Sequence, residues 1–274
     1  MADANLVARI GSACVFVPAV LVLVAVGGWA LLALVLAIVG RASWEYAHMC
    51  RAAGRDSAGW LGTVLAMLLC LYAHQYGANG WLAPLTATAL IVTLAALRRG
   101  PDQFLYRTFG ALGAVLYLGL LGSAPLLIAR GFGPERASEV GYLLIAVLGG
   151  IWLSDSAAYF AGRRWGHRKL APVISPGKTV VGFVAGLFAS LVPAALYSFV
   201  PSLAPIQLLG LLFATGLAGQ LGDLVESAIK RDVGVKDAPA LIPGHGGLLD
   251  RFDSYFFAFP LAYLYVDMLA IFEK

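Results

Sequence analysis

Long apolar runs separated by short polar stretches set the pattern of this chain. Crossing about 30 Å of hydrocarbon takes roughly 20 mostly apolar residues at about 1.5 Å each. Nine such segments can be laid on the sequence, at residues 8–26, 29–48, 59–76, 80–97, 108–129, 140–161, 180–200, 205–226 and 252–271. Only Gly27-Gly28, a turn signal within one continuous apolar stretch, divides the first two. A cleaved signal peptide is the competing reading for residues 1–28, with Arg9 as its charged start, but no polar cleavage region follows. The pattern predicts an all-α, polytopic integral membrane protein with about nine transmembrane helices. Residues 1–130 form an N-terminal scaffold open to dimer or lipid contacts, and 131–274 hold the chemistry.

Composition agrees. Of 274 residues, 60% are hydrophobic and 12% charged, whereas soluble domains run near 45 to 50% and about a quarter. That excludes a soluble enzyme, and also a disordered chain, which needs low hydrophobicity. Cys14, Cys50 and Cys70 lie in or beside apolar runs without C-x-x-C spacing, so they read as packing residues.

Charge placement orients the helices. Assigning the loops to alternate sides puts 16 of the 19 basic residues on one face, and only Arg130, Arg136 and Lys274 on the other. The positive-inside rule then places the N-terminus in the cytoplasm. The two longest polar stretches, 162–179 and 227–251, fall on that cytoplasmic side, so a polar substrate would be cytoplasmic. No internal repeat is evident, which disfavours inverted-repeat transporters.

Candidate chemistry gathers on these stretches. Asp155 lies inside the sixth segment, where an ionised carboxylate costs roughly 2.5 to 3.5 kcal/mol and usually has a partner. Asp155, Tyr159 and Gly162 share one helix face. At the end of the eighth segment Asp223, Glu226, Ser227 and Lys230 recur at helical spacing, and Gly216, Gly219 and Gly222 run along the neighbouring strip, where another backbone or a ligand can approach. A solvated helix end accounts for Glu226 and Lys230, but poorly for Asp223, a turn deeper. Gly244-His245-Gly246-Gly247 can present backbone N–H groups to an anion ahead of the ninth segment. Asp250 and Asp253 share a face there, as helix caps or as metal ligands. Taken with Asp223 among the Lys and Arg of one loop system, they form a site for Mg²⁺ and a polyphosphate. Gly177-Lys178-Thr179 looks like the tail of a P-loop, but Pro172 stands where that pattern needs Gly, so a Walker A is excluded. Lys178 remains the leading phosphate ligand of its loop. Arg163, Arg164, Arg168 and Lys169 are either ligands or headgroup anchors. His48, His74 and His167 read as structural, and Gly182-x-x-x-Gly186 fits close helix packing or dimerisation.

The stretch Ser227-x-x-Lys230-Arg231, then Lys236-Asp237, then Pro243-Gly-His-Gly-Gly-x-x-Asp250-Arg251-x-Asp253 resembles the signature of phosphatidate cytidylyltransferases, also called CDP-diacylglycerol synthases. Asp155-Ser-x-Ala-Tyr-Phe160, Ser175-Pro-Gly-Lys-Thr179 and Gly222-Asp223-Leu-x-Glu226-Ser227 also look like segments of that family. The similarity covers residues 152–254, and the first 150 residues share only hydropathy with it. Val180-Val181 departs from the aromatic and acid or amide common after Lys-Thr, and Ala157 stands where Gly is frequent. The resemblance implies a homodimeric membrane enzyme that uses Mg²⁺ (one or two ions, the second open to another metal) to join CTP and phosphatidic acid into CDP-diacylglycerol and pyrophosphate. It implies catalytic roles for Asp223, Asp250, Lys178, Lys230 and Arg251, and metal ligation by Asp223, Asp250, Asp253 and Asp155. Substrate contacts would come from Ser227, Arg231, Lys236, Asp237, His245, Gly246, Gly247, Arg163, Ser175 and Tyr159. No nucleic-acid partner is expected; in a bacterium the membrane would be the inner one. A membrane lipid kinase and, less well, a transporter are the alternatives.

Overall fold

The computed structural model describes residues 15–236, 238–239, 247–269 and 271. Asp237, His245 and Gly246 lie outside the described residues, as do Arg9, Cys14 and Lys274. The helices are α1 (Val15–Val26), α2 (Gly28–Ala52), α3 (Gly59–Tyr76), α4 (Leu82–Leu97), α5 (Phe104–Gly113), α6 (Ala124–Phe132), α7 (Ala137–Trp165), α8 (Val180–Ala189), α9 (Pro205–Asp232), the short α10 (Leu249–Phe252) and α11 (Tyr255–Met268). A π-helical stretch, Ala114–Leu120, lies between α5 and α6. A 3₁₀ segment, Val192–Phe199, follows α8.

Within the described residues the apolar segments fall largely on helix. Among the described residues, five helices are long and apolar enough to cross a membrane: Gly28–Ala52, Phe104–Phe132, Pro134–Trp165, Val180–Phe199 and Pro205–Asp232. The protein is an all-α membrane protein with one small exception. In the polar stretch 162–179, β1 (Lys169–Ala171) and β2 (Ser175–Thr179) pair antiparallel, with Lys169 opposite Thr179 and Ala171 opposite Ser175. The α1–α2 boundary falls at Gly27, whose φ of +67° is a left-handed backbone that glycine adopts without strain.

Packing follows the small residues. A Cβ at Gly182 would lie 2.6 Å from the Ala158 carbonyl, and one at Gly186 would lie 2.8 Å from that of Ser154. The Gly182-x-x-x-Gly186 pattern is therefore used within the chain, to seat α8 on α7. On α9, Gly222 brings the backbone against Asp253, whose carbonyl would be 2.8 Å from an added Cβ. Phe256 and Phe259 of α11 are almost wholly buried in the core beneath, while Trp29, Leu82, Phe188 and Ile206 point outward on the apolar surface. Cys50 and Cys70 are buried and unpaired with each other, as packing residues should be.

Polar contacts between loops sort into two ends. At one, Arg55 pairs with Asp232, Arg107 with Asp56, Arg231 donates to the Ile174 carbonyl and Arg41 to that of Pro239. At the other, Arg136 reaches Glu139, Ser202 and the Ile271 carbonyl.

Candidate active site

At the arginine-rich end α9 presents Asp223, Glu226, Ser227 and Lys230 on one face, and the break between α10 and α11 presents Asp253. One carboxylate oxygen from each of Asp223, Glu226 and Asp253 lies within 4.8 Å of the others. Glu226 is wholly buried and Asp253 is 8% exposed. The solvated-end account of Glu226 and Lys230 is therefore corrected: Lys230 is also buried, and of the two α9 carboxylates in the cluster it is Asp223 that stays partly open.

Two lysines serve this cluster. Lys178, delivered by β2, lies 2.8 Å from Asp223 Oδ2, and the Ser227 hydroxyl donates to Asp223 Oδ1 at 3.4 Å. Lys230 Nζ lies 2.6 Å from Glu226 Oε2 and donates to Asp250 Oδ1 at 2.6 Å. Lys230 thus compensates the buried Glu226 carboxylate while its aligned hydrogen bond goes to Asp250.

Asp250 stands apart from the trio. Its second oxygen accepts from the Ala238 and Gly247 N–H groups, both at 3.0 Å. Burial would raise its carboxyl, but Lys230, helped by the Gly247 N–H, outweighs that and holds it below the usual carboxylate range. Its paired form is complete at neutral pH and is lost as pH falls through that lowered value.

Beside the trio lies a cavity of about 600 Å³ walled by α7, the β-hairpin, α8 and α9, within the ~300–1,000 Å³ of small-molecule sites. Asp155, Tyr159, Arg163, Ser175, Lys178 and Asp223 all line it. Arg163 donates to the Tyr159 hydroxyl at 3.0 Å. Thr179 ends β2 and caps α8, accepting the Gly182 N–H at 3.1 Å, which fixes Lys178 beside the helix. Thr179→Ala is expected to lower stability by ~1 kcal/mol, with Thr179→Ser close to wild type, as read by thermal melts in detergent. Arg231 is spent on the Ile174 and Val235 carbonyls and ties the hairpin to α9. Lys236 and Arg251 are exposed at this end, Arg251 on α10.

Three residues went unassigned by the sequence. Glu226 was visible as part of the polar stripe but not as a ligand. Glu45 of α2 is wholly buried and accepts the Leu248 and Leu249 N–H groups at 3.0 and 2.8 Å. Tyr117, in the π-helical stretch, has a buried hydroxyl without a partner among the described residues, in electrostatic reach of Asp253, Glu226 and Asp223. A π-helical turn often marks a functional position, but no sequence period announces it.

The donor set fits a hard divalent cation. Ionised together, Asp223, Glu226, Asp253 and Asp250 would set four negative charges against the two lysines, and buried charge without compensation is costly, so a cation is what would keep them all ionised. Oxygens at about 2.1 Å from an octahedral ion sit about 3–4 Å apart, a modest contraction of this cluster.

The sequence model of the Cytidylyltransferase family matches residues 7–269. A phosphatidate cytidylyltransferase of Staphylococcus aureus (strain COL) is 51% identical over 132 residues, 47% of this chain and 50% of the relative. One from Staphylococcus saprophyticus is 52% identical over 128 residues, covering 46% and 49%. One from Bacillus subtilis (strain 168) is 51% identical over 126 residues, 45% of each chain. The alignments thus span about half the length of the curated relatives.

Proposed function

We propose, from the premise that the chain belongs to the cytidylyltransferase family, that it transfers CMP from CTP to phosphatidic acid, giving CDP-diacylglycerol and pyrophosphate. The observation that carries this reading is the carboxylate trio of partly open Asp223 and buried Glu226 and Asp253, beside a cavity lined by Arg163, Lys169 and Lys178 and within an apolar helical body. A lipid phosphate oxygen attacks the α-phosphorus of CTP, the α–β bridging bond breaks, and pyrophosphate leaves. A phosphate monoester has its second pKa at about 6, so the nucleophile is already largely dianionic at neutral pH and no strong base is needed. That suits a site whose conspicuous groups are carboxylates and ammonium ions.

Mg²⁺ bound by the trio would offset repulsion between the two anions and stabilise charge on the leaving group. Lys178, Arg163 and Lys169 on the cavity wall meet phosphate charge, and Lys230 holds Asp250 and Glu226 in place. The walls of α7 and α8 carry exposed Phe160, Val181 and Val184, which suit acyl chains lying in the bilayer.

Nine crossings with the N-terminus and the site in the cytoplasm belong to the same proposal. Supporting them, contacts such as Arg55–Asp232 and Arg41–Pro239 join loops that alternation assigns to one side, and the Arg136 contacts join those of the other. The homodimer rests on the sequence resemblance alone.

The test uses CTP labelled at its γ-phosphate, with phosphatidic acid vesicles and the purified protein. The label should leave as pyrophosphate with the lipid unlabelled. Label in the lipid would make the protein a lipid kinase, and solute flux without CTP consumption a transporter.

A further inference from the structure

We propose that Glu45, in the N-terminal helices that the sequence reads as scaffold, is a positioning residue for the phosphate and metal site; this rests on the function proposed above. Glu45 is wholly buried on α2, and its carboxylate is fully engaged. Oε1 accepts from Arg41 Nε at 2.7 Å and from the Leu248 N–H at 3.0 Å, and Oε2 accepts from the Leu249 N–H at 2.8 Å. Arg41 also donates to the Pro239 carbonyl at 3.4 Å. The Arg41–Glu45 pair thus holds the chain at Pro239 on one side and at Leu248 and Leu249 on the other.

What it grips is linked to the trio through Asp250 and Lys230. The Gly247 and Ala238 N–H groups, beside the two gripped positions, hold Asp250 Oδ2, and Asp250 Oδ1 holds Lys230. Lys230 in turn lies against Glu226 of the trio. Gly247 is pressed so closely that an added Cβ would lie 2.6 Å from Glu45 Oε2 and 2.6 Å from the Ala238 Cβ. A buried carboxylate is costly unless charge and hydrogen bonds compensate it. Among the described residues, the hydrogen bonds offsetting that cost come from Arg41 and from Leu248 and Leu249. A polar side chain serving only to pack α2 would have no need to reach 203 residues along the chain.

The experiment compares wild type with Glu45→Gln, which keeps the shape but turns an amide N–H₂ toward backbone donors, and with Gly247→Ala, which pushes the same segment while Glu45 stays intact. Two readouts are taken on full-length protein in detergent: Mn²⁺ affinity by electron paramagnetic resonance, and amide hydrogen exchange at residues 247–249. Each variant is expected to bind Mn²⁺ about 10-fold more weakly, the loss typical of removing an outer-shell partner, with faster exchange at those amides. Wild-type Mn²⁺ affinity in a folded Glu45→Gln protein overturns the proposal, even if turnover falls. If Glu45→Gln does not fold, Gly247→Ala decides on the same two readouts. Turnover of the wild type with CTP and phosphatidic acid is measured alongside. Its absence would sink the proposed function, whereas unaltered metal affinity in an otherwise active protein sinks only the role of Glu45.

Discussion

Asp253→Asn is expected to lower turnover on the order of 10²- to 10³-fold, the loss seen when a preorganised electrostatic contact to developing charge is removed. The same change should stabilise the metal-free protein, because Asp253 is buried against Asp223 and Glu226 and repels both. The amide retains the oxygen that accepts the Ser254 N–H at 2.6 Å, so the local fold has no reason to fail. Wild type should gain ~2.7 kcal/mol when Mg²⁺ exceeds its Kd 100-fold, and the variant should lose most of that gain. Melting curves with and without Mg²⁺ therefore separate metal binding from packing. Asp223→Asn and Glu226→Gln should lose turnover comparably. A folded Asp223→Asn protein that turns over like wild type, joined by an equally active Asp250→Asn, would refute the metal assignment.

Lys230→Met carries the second large effect. Lys230 lies 2.6 Å from both Glu226 and Asp250, and removing one partner of a buried ion pair costs ~3–5 kcal/mol through the charge left behind. Thermal unfolding of Lys230→Met in detergent should show that loss. Pairing it with Asp250→Asn should restore part of the stability without restoring turnover, because the uncompensated charge is removed but the arrangement around Glu226 is not rebuilt. If Lys230→Met melts like wild type, Lys230 is a solvated helix end after all.

The helical architecture was legible because lipid imposes one rule along the chain: backbone polar groups must be satisfied within each crossing segment. Segment ends at Gly27, Gly59, Tyr76, Leu97 and Pro205 could accordingly be placed to within a residue or two. The β-hairpin at 169–179 was not, because five residues with Pro and Gly carry no period-2 signal. In the site, Asp223, Asp253 and Lys178 stood out as charges in apolar or glycine-rich surroundings. Glu226 was obscured by its place in a stripe that also suits a solvated end, and burial is set by which helix packs over that stripe. Glu45 and Tyr117 sit in segments whose local pattern says only membrane helix. Their relation to the trio comes from contacts across more than 100 residues, which no local spacing encodes.

The most direct test of the whole account is incorporation of label from α-phosphate-labelled CTP into phosphatidic acid by the purified protein, with Mg²⁺ present, then chelated, then restored. Labelled CDP-diacylglycerol is expected to form with Mg²⁺, to stop forming on chelation and to resume on restoration. Label that stays in the nucleotide throughout, or incorporation indifferent to chelation, would contradict it.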